Sequence, residues 1–114
     1  MADLFEIHEE AERVVLVGVQ TAENDDTAES LEELGELAKT AHAAALGVIV
    51  QNRESMHPGT YIGKGKIEEV REAVERLSAT GIICDDELSP AQMKNLEAAI
   101  GCTVRDRTML ILDI

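Results

Sequence analysis

Val14-Val15-Leu16-Val17-Gly18-Val19 is an unbroken apolar run made largely of β-branched residues. A strand with one wet face alternates apolar and polar residues. A strand covered on both faces has no polar position to offer, so this run predicts a strand inside a parallel sheet. Helical spacing takes over downstream. Asp26 or Thr27 starts a helix, Ser30 and Glu33 offer a second capping box, and Leu31, Leu34, Leu37, Ala38 and Ala41 recur at three-and-four spacing with glutamates facing water. Gly35 interrupts that helix at a cost of about 1 kcal/mol relative to alanine, and reads as a tolerated weakness in preference to a close-packing site.

The alternation continues to the end. A second apolar run, residues 46–50, ends in Gln51-Asn52-Arg53 and is followed by an aperiodic stretch that is long for an α/β connection. Ile67, Val70, Ala73, Val74 and Leu77 then mark a second helix. A third strand, Gly81–Cys84, stops at Asp85-Asp86-Glu87. Ser89-Pro90-Ala91-Gln92 reads as an N-cap, a proline at the first helical position and a glutamine able to close the capping box. Met93, Leu96, Ala99 and Ile100 give this third helix its apolar stripe, Gly101 is its C-terminal cap, and a short strand over 102–105 follows. Such alternation predicts an α/β fold, a small four-stranded parallel sheet with helices on both faces, and leaves the strand order open. Residues 109–114 are apolar at all but Asp113 and end without a cap or a polar tail, so 107–114 is expected to begin a following helical segment that breaks off, with 1–106 forming the α/β domain.

Composition restricts the core and the partners. One Phe, one Tyr and no Trp leave an aliphatic core of Leu, Ile, Val, Ala and Met. The net charge is -13 and uneven: residues 1–36 hold twelve acids against Arg13 alone, a net of -11, whereas the remaining 78 residues hold nine bases and eleven acids, a net of -2. Nucleic acid can then be met only through a local patch in the nearly neutral part, and the acidic part reads as a solvated face. Cys84 and Cys102 sit in no metal-ligand spacing and are expected to be buried free thiols. No signal-like start and no apolar run of membrane-spanning length occur, so a soluble, cytoplasmic protein without membrane contact is expected.

The segment Pro58-Gly59-Thr60-Tyr61-Ile62-Gly63-Lys64-Gly65-Lys66 suggests a phosphate site, because glycines leave backbone N–H groups able to cradle an anion beside a helix N-terminus. It is not a Walker loop. Gly59 and Gly63 are separated by three residues where that motif has four, Lys64 is followed by Gly65, and the hydroxyl that would hold Mg²⁺ is missing. Nor is it a dinucleotide fingerprint, since Glu68 stands where the third glycine belongs. What remains is a lysine-bearing entry into the second helix, either able to meet a phosphate of a nucleotide or of RNA through backbone amides, Lys64 and Lys66, or simply a flexible loop with surface lysines.

From Gly47 onward the sequence resembles the N-terminal domain of HflX-type GTPases. The resemblance rests on Gly47-Val48-Ile49-Val50-Gln51, Thr60-Tyr61-Ile62-Gly63-Lys64-Gly65-Lys66, Asp85-Asp86-Glu87-Leu88-Ser89-Pro90-Ala91-Gln92, Asp106-Arg107-Thr108 and Leu110-Ile111-Leu112-Asp113-Ile114, in matching order and spacing. It implies a domain that associates with the large ribosomal subunit and ribosomal RNA and helps separate ribosomal subunits, with GTP and Mg²⁺ handled by a downstream P-loop domain. It also implies a purine nucleotide as a partner of the domain itself. No cofactor and no catalytic residue are assigned within this chain, and it is not expected to be an enzyme by itself. The phosphate- or RNA-binding candidates are Gly63, Lys64, Gly65, Lys66, Arg53 and Tyr61, the last by stacking on a base, with a half-buried loop tyrosine as the alternative.

A rival reading uses Asp85 and Asp86. Carboxylates at the C-terminal end of a parallel strand can hold Mg²⁺ or accept a phosphoryl group, as in receiver-like folds or a small α/β enzyme. That reading wants a further acidic pair after the first strand, where Gln20 and Thr21 stand, so an acidic turn before a capped helix is preferred and no metal is assigned. His8, His42 and His57 have no partner at ligand or triad spacing and receive no role.

Overall fold

The computed structural model describes residues 12–23 and 26–114. Its elements are β1 (Glu12–Gln20), α1 (Thr27–Thr40), β2 (Ala43–Asn52), α2 (Lys64–Leu77), β3 (Gly81–Cys84), α3 (Pro90–Ile100), β4 (Thr103–Asp106) and α4 (Arg107–Asp113). The strands form one sheet in the order β2-β1-β3-β4, every ladder parallel. The expected α/β fold with a four-stranded parallel sheet is what the chain adopts. His8 lies outside the described residues.

The valine run is the centre of the molecule because β1 has neighbours on both edges and helices on both faces. Val14 and Leu16 pack with Leu31, Leu34 and Ala38 of α1 and with Ile83 and Leu110. The alternate residues Val15, Val17 and Val19 pack with Ile67 and Val70 of α2, Leu96 and Ile100 of α3, and Ile82 and Cys84. Period-two alternation thus divides one apolar run between two cores. Gly18 lets α1 pack closely: a Cβ there would lie 3.0 Å from Leu31 Cδ1 and 3.2 Å from Thr27 Cγ2, so those side chains would have to shift. Gly35 is different, since a Cβ there would meet only Leu16 Cδ1 at 3.7 Å, ordinary contact.

Two strand starts and one capping box differ from the sequence reading. β2 begins at Ala43, earlier than expected, because pairing of Glu12 with Ala43 imposes strand geometry on an Ala-rich segment with no strand preference of its own. Within this ladder the register shifts between Val14 and Val15, so Leu46 is the extra residue of a bulge. β4 starts at Thr103, since Gly101 closes α3 in the left-handed conformation and Cys102 completes the turn. Ser30 and Glu33 cap nothing; α1 starts at Thr27 after Asp26, and Ser30 instead receives Arg107.

The connection through α1 moves from β1 to β2, and the connection through α2 passes back over β1 to β3. With right-handed crossovers, these opposite directions place α1 and α2 on opposite faces of the sheet, as their separate cores show. Among the described residues no helix is long and apolar enough to cross a membrane.

Candidate functional site

The C-terminal edge of the sheet is shaped by the long connection between β2 and α2, which is folded and anchored. His57 and Tyr61 exchange backbone hydrogen bonds of 3.0 and 2.8 Å. The His57 ring closes the turn between them, its Nδ1 accepting the N–H groups of Gly59 at 3.0 Å and Thr60 at 3.2 Å. A ring nitrogen accepting amide protons carries none itself, so this imidazole is the tautomer with hydrogen on Nε2. α3 clasps the turn from outside: Gln92 Nε2 donates to the His57 carbonyl at 2.9 Å and Asn95 Nδ2 to the Gly59 carbonyl at 2.9 Å. Gln92 also closes the capping box expected from the sequence, its Oε1 accepting Ser89 N–H while Ser89 Oγ accepts Gln92 N–H.

Tyr61 pins the loop from inside. Its backbone is left-handed, φ 68°, a conformation that a bulky residue adopts only where its surroundings hold it. The ring is 0% exposed and the hydroxyl donates to Asp86 Oδ2 at 2.5 Å. Burial, then the hydrogen bond and charge of Asp86, push the Tyr61 hydroxyl far above its ordinary pKa, so it stays a donor. Burial also raises the Asp86 carboxyl, with Asp85 adding to the rise and Tyr61 and Arg107 opposing it. The stacking role expected of Tyr61 needs an open ring face; the structure places that ring in the core.

Asp85, 7% exposed, is neutralised by Arg107, whose Nη2 lies 2.9 Å from Asp85 Oδ1. The same guanidinium reaches Glu33 Oε1 at 2.6 Å and the Ser30 carbonyl at 2.8 Å, tying the start of α4 to β3 and α1. Its neighbour Asp106 caps α4 by accepting Met109 N–H at 2.9 Å, and its other oxygen accepts Leu88 N–H at 2.8 Å. Asp85 and Asp86 are thus engaged by Arg107 and Tyr61. Among the described residues no three His, Cys, Asp or Glu side chains converge to hold a metal.

The phosphate candidates gather at the other end of the loop. Gly63 is the N-cap of α2 with no side-chain cap, and its N–H donates to Gln51 Oε1 at 2.8 Å. Arg53 lies over it: a Cβ on Gly63 would be 2.5 Å from Arg53 Nη1. Arg53, Gly63 and the first turn of α2 are therefore brought together, with Lys64 and Gly65 exposed and nothing within 4 Å of a Cβ on Gly65. Lys66 is turned along the helix to Glu69 at 3.0 Å. No acid occupies the first turn, so the positive end of the helix dipole is uncompensated there. On the far side of Arg53 a cleft of 420 Å³ opens between Gln20, Thr21 and Asn52. Sequence reasoning missed His57, Gln51, Asp106 and Arg107 as organisers of this edge; the His-Pro-Gly turn and the Asp-Arg pair before an apolar helix were the available signals. Of the two thiols, Cys84 is buried and Cys102 only half-buried.

Residues 28–114 match the model of the family described as GTP-binding GTPase N-terminal. The GTPase HflX of Lacrimispora saccharolytica is 58% identical over 114 residues, all of this chain and 27% of that protein. The GTPase HflX of Escherichia coli is 40% identical over 111 residues, 97% of this chain and 26% of that protein. The chain therefore spans about a quarter of the relatives it matches. A solved structure described as the complex of SsGBP and GDP shares the fold, with a TM-score of 0.63 and 18% identity over 90% of this chain and 28% of that one. By its matched residues and its fold, the chain belongs to the GTP-binding GTPase N-terminal family, the domain shared with HflX-type GTPases.

Proposed function

We propose that this chain is the ribosome- and nucleotide-binding N-terminal domain of an HflX-type GTPase, which associates with the large ribosomal subunit and helps separate the subunits. The observation that carries the reading is the uncapped start of α2, where Arg53 lies against Gly63 and Lys64 and Lys66 follow within one turn. Backbone N–H groups, a helix dipole, Arg53 and Lys64, joined by Lys66 on release from Glu69, would meet a phosphate there, whether of ribosomal RNA or of a purine nucleotide. Tyr61 positions the loop by anchoring it to Asp86. A Mg²⁺ accompanying a nucleotide would be carried chiefly by the phosphates, since the nearby carboxylates are engaged.

Co-sedimentation of the full-length protein with large ribosomal subunits tests this. Lys64→Glu with Lys66→Glu is expected to abolish association, and undiminished binding would move the contact to another surface. GTP turnover is proposed to belong to a separate P-loop domain, as no segment of this chain joins a phosphate loop to an Mg²⁺-binding Ser or Thr. The chain alone is expected to hydrolyse no GTP above a buffer blank; turnover that survives repurification and disappears in Lys64→Ala would contradict this.

A further inference from the structure

The outer edge of β2 carries an independent feature over its first half, residues 43–48, at the opposite end of the strand from Gln51 and the phosphate candidates. Among the described residues no strand pairs with that edge. Ala43–Asn52 contains no charged residue and no proline, so apart from the bulge at Leu46 it lacks the devices by which exposed edges resist pairing. Leu46 is 38% and Val48 55% exposed. On the α1 side the edge borders an apolar groove of 490 Å³, floored by Leu16, Leu31, Ala45 and Val48 and opened by the missing side chain of Gly35. Glu32, Glu36 and Lys39 form its rim. On the α2 side lies a smaller depression of 320 Å³ bordered by Glu69, Glu72 and Arg76.

We propose that this edge is a docking site for an extended, cationic, amphipathic segment of a partner protein, which adds to β2 as a fifth strand. An added strand sends alternate side chains to opposite faces. On this edge one set enters the apolar groove beneath Gly35 and the other meets the depression bordered by Glu69 and Glu72. The recognised pattern is apolar and basic residues in alternation. Charge selects the occupant: four carboxylates line the two rims against Lys39 and Arg76. A second copy of this chain would bring another -13 and a β2 without basic residues. A cationic segment is drawn in by the same field that repels the copy.

The test uses the whole chain and a fluorescent octapeptide of alternating lysine and valine, with a glutamate–valine octapeptide as control. The lysine peptide is expected to bind at least about tenfold more tightly than the control, to weaken with salt and to shift backbone amide resonances of residues 43–48. Gly35→Leu, which fills the groove from the helix, and Val48→Lys, which charges the edge, should each weaken binding by about tenfold without lowering the unfolding midpoint. Lys64→Glu with Lys66→Glu should leave peptide binding intact, separating this surface from the phosphate site. Equal binding of both peptides, no binding at millimolar peptide, or indifference to both β2-edge variants would overturn the proposal. A concentration-dependent dimer abolished by Val48→Lys would assign the edge to a second copy instead.

Discussion

Asp86 accepts the Tyr61 hydroxyl and, in the same carboxyl group, bears the penalty of partial burial beside Asp85. Its pKa is raised, so the folded chain holds the proton more tightly than the unfolded chain does. The stabilisation is complete below the ordinary carboxylate range and is lost as pH rises through the raised value. Asp86→Asn keeps an acceptor for Tyr61 and removes the charge. Its thermal midpoint should therefore exceed that of the parent at pH 7, and the difference should vanish in scans carried below the carboxylate range; a lower midpoint at pH 7 would show that the charge is needed. Tyr61→Phe removes the donor and should lower stability by about 1 kcal/mol in urea titration. Neither residue announces this role in sequence. Tyr61 and Asp86 are 25 positions apart, and a side-chain bond across that distance leaves no periodic trace.

At the scale of elements, α3 is legible in the sequence alone, because the Ser89-Pro90-Gln92 signal acts within one turn and owes nothing to the rest of the chain. Ser89→Ala should cost about 1 kcal/mol, measurable by urea unfolding, as the Gln92 amide loses its acceptor. The start of β2 is not legible, since alanines at 43–45 become a strand only by pairing with β1. The role of Arg107 is hidden for a related reason: it joins α4 to β3 and α1, and its contact with Asp85 spans 22 positions. Arg107→Met strands a buried carboxylate and should destabilise by about 3 kcal/mol, most of it recovered in the double variant with Asp85→Asn. If the double variant is no more stable than the single one, the arginine acts through Glu33 and Ser30 instead.

For the whole molecule, the charge map and the strand order set the behaviour. If Arg53, Lys64 and Lys66 each neutralise an RNA phosphate, log affinity should fall with log salt at a slope of about −2 to −3, a shallow dependence. Glu32→Lys with Glu36→Lys should leave large-subunit association intact or strengthen it non-specifically, as the acidic face repels RNA. Co-sedimentation at two salt concentrations reads both effects, and a steep slope would mean a larger cationic surface than these three residues make. The strand order also has a consequence in time. β1 sits in the middle of the sheet yet is synthesised first, and because every ladder is parallel it has no hairpin partner close behind it. Val15, Val17 and Val19 wait for Ile67 and Val70 of α2 to cover them, so at about 5–20 residues per second that face of the valine strand stays bare on the nascent chain for roughly three to ten seconds. During translation, the segment that becomes the most protected part of the domain is the one a chaperone at the exit tunnel has most reason to hold.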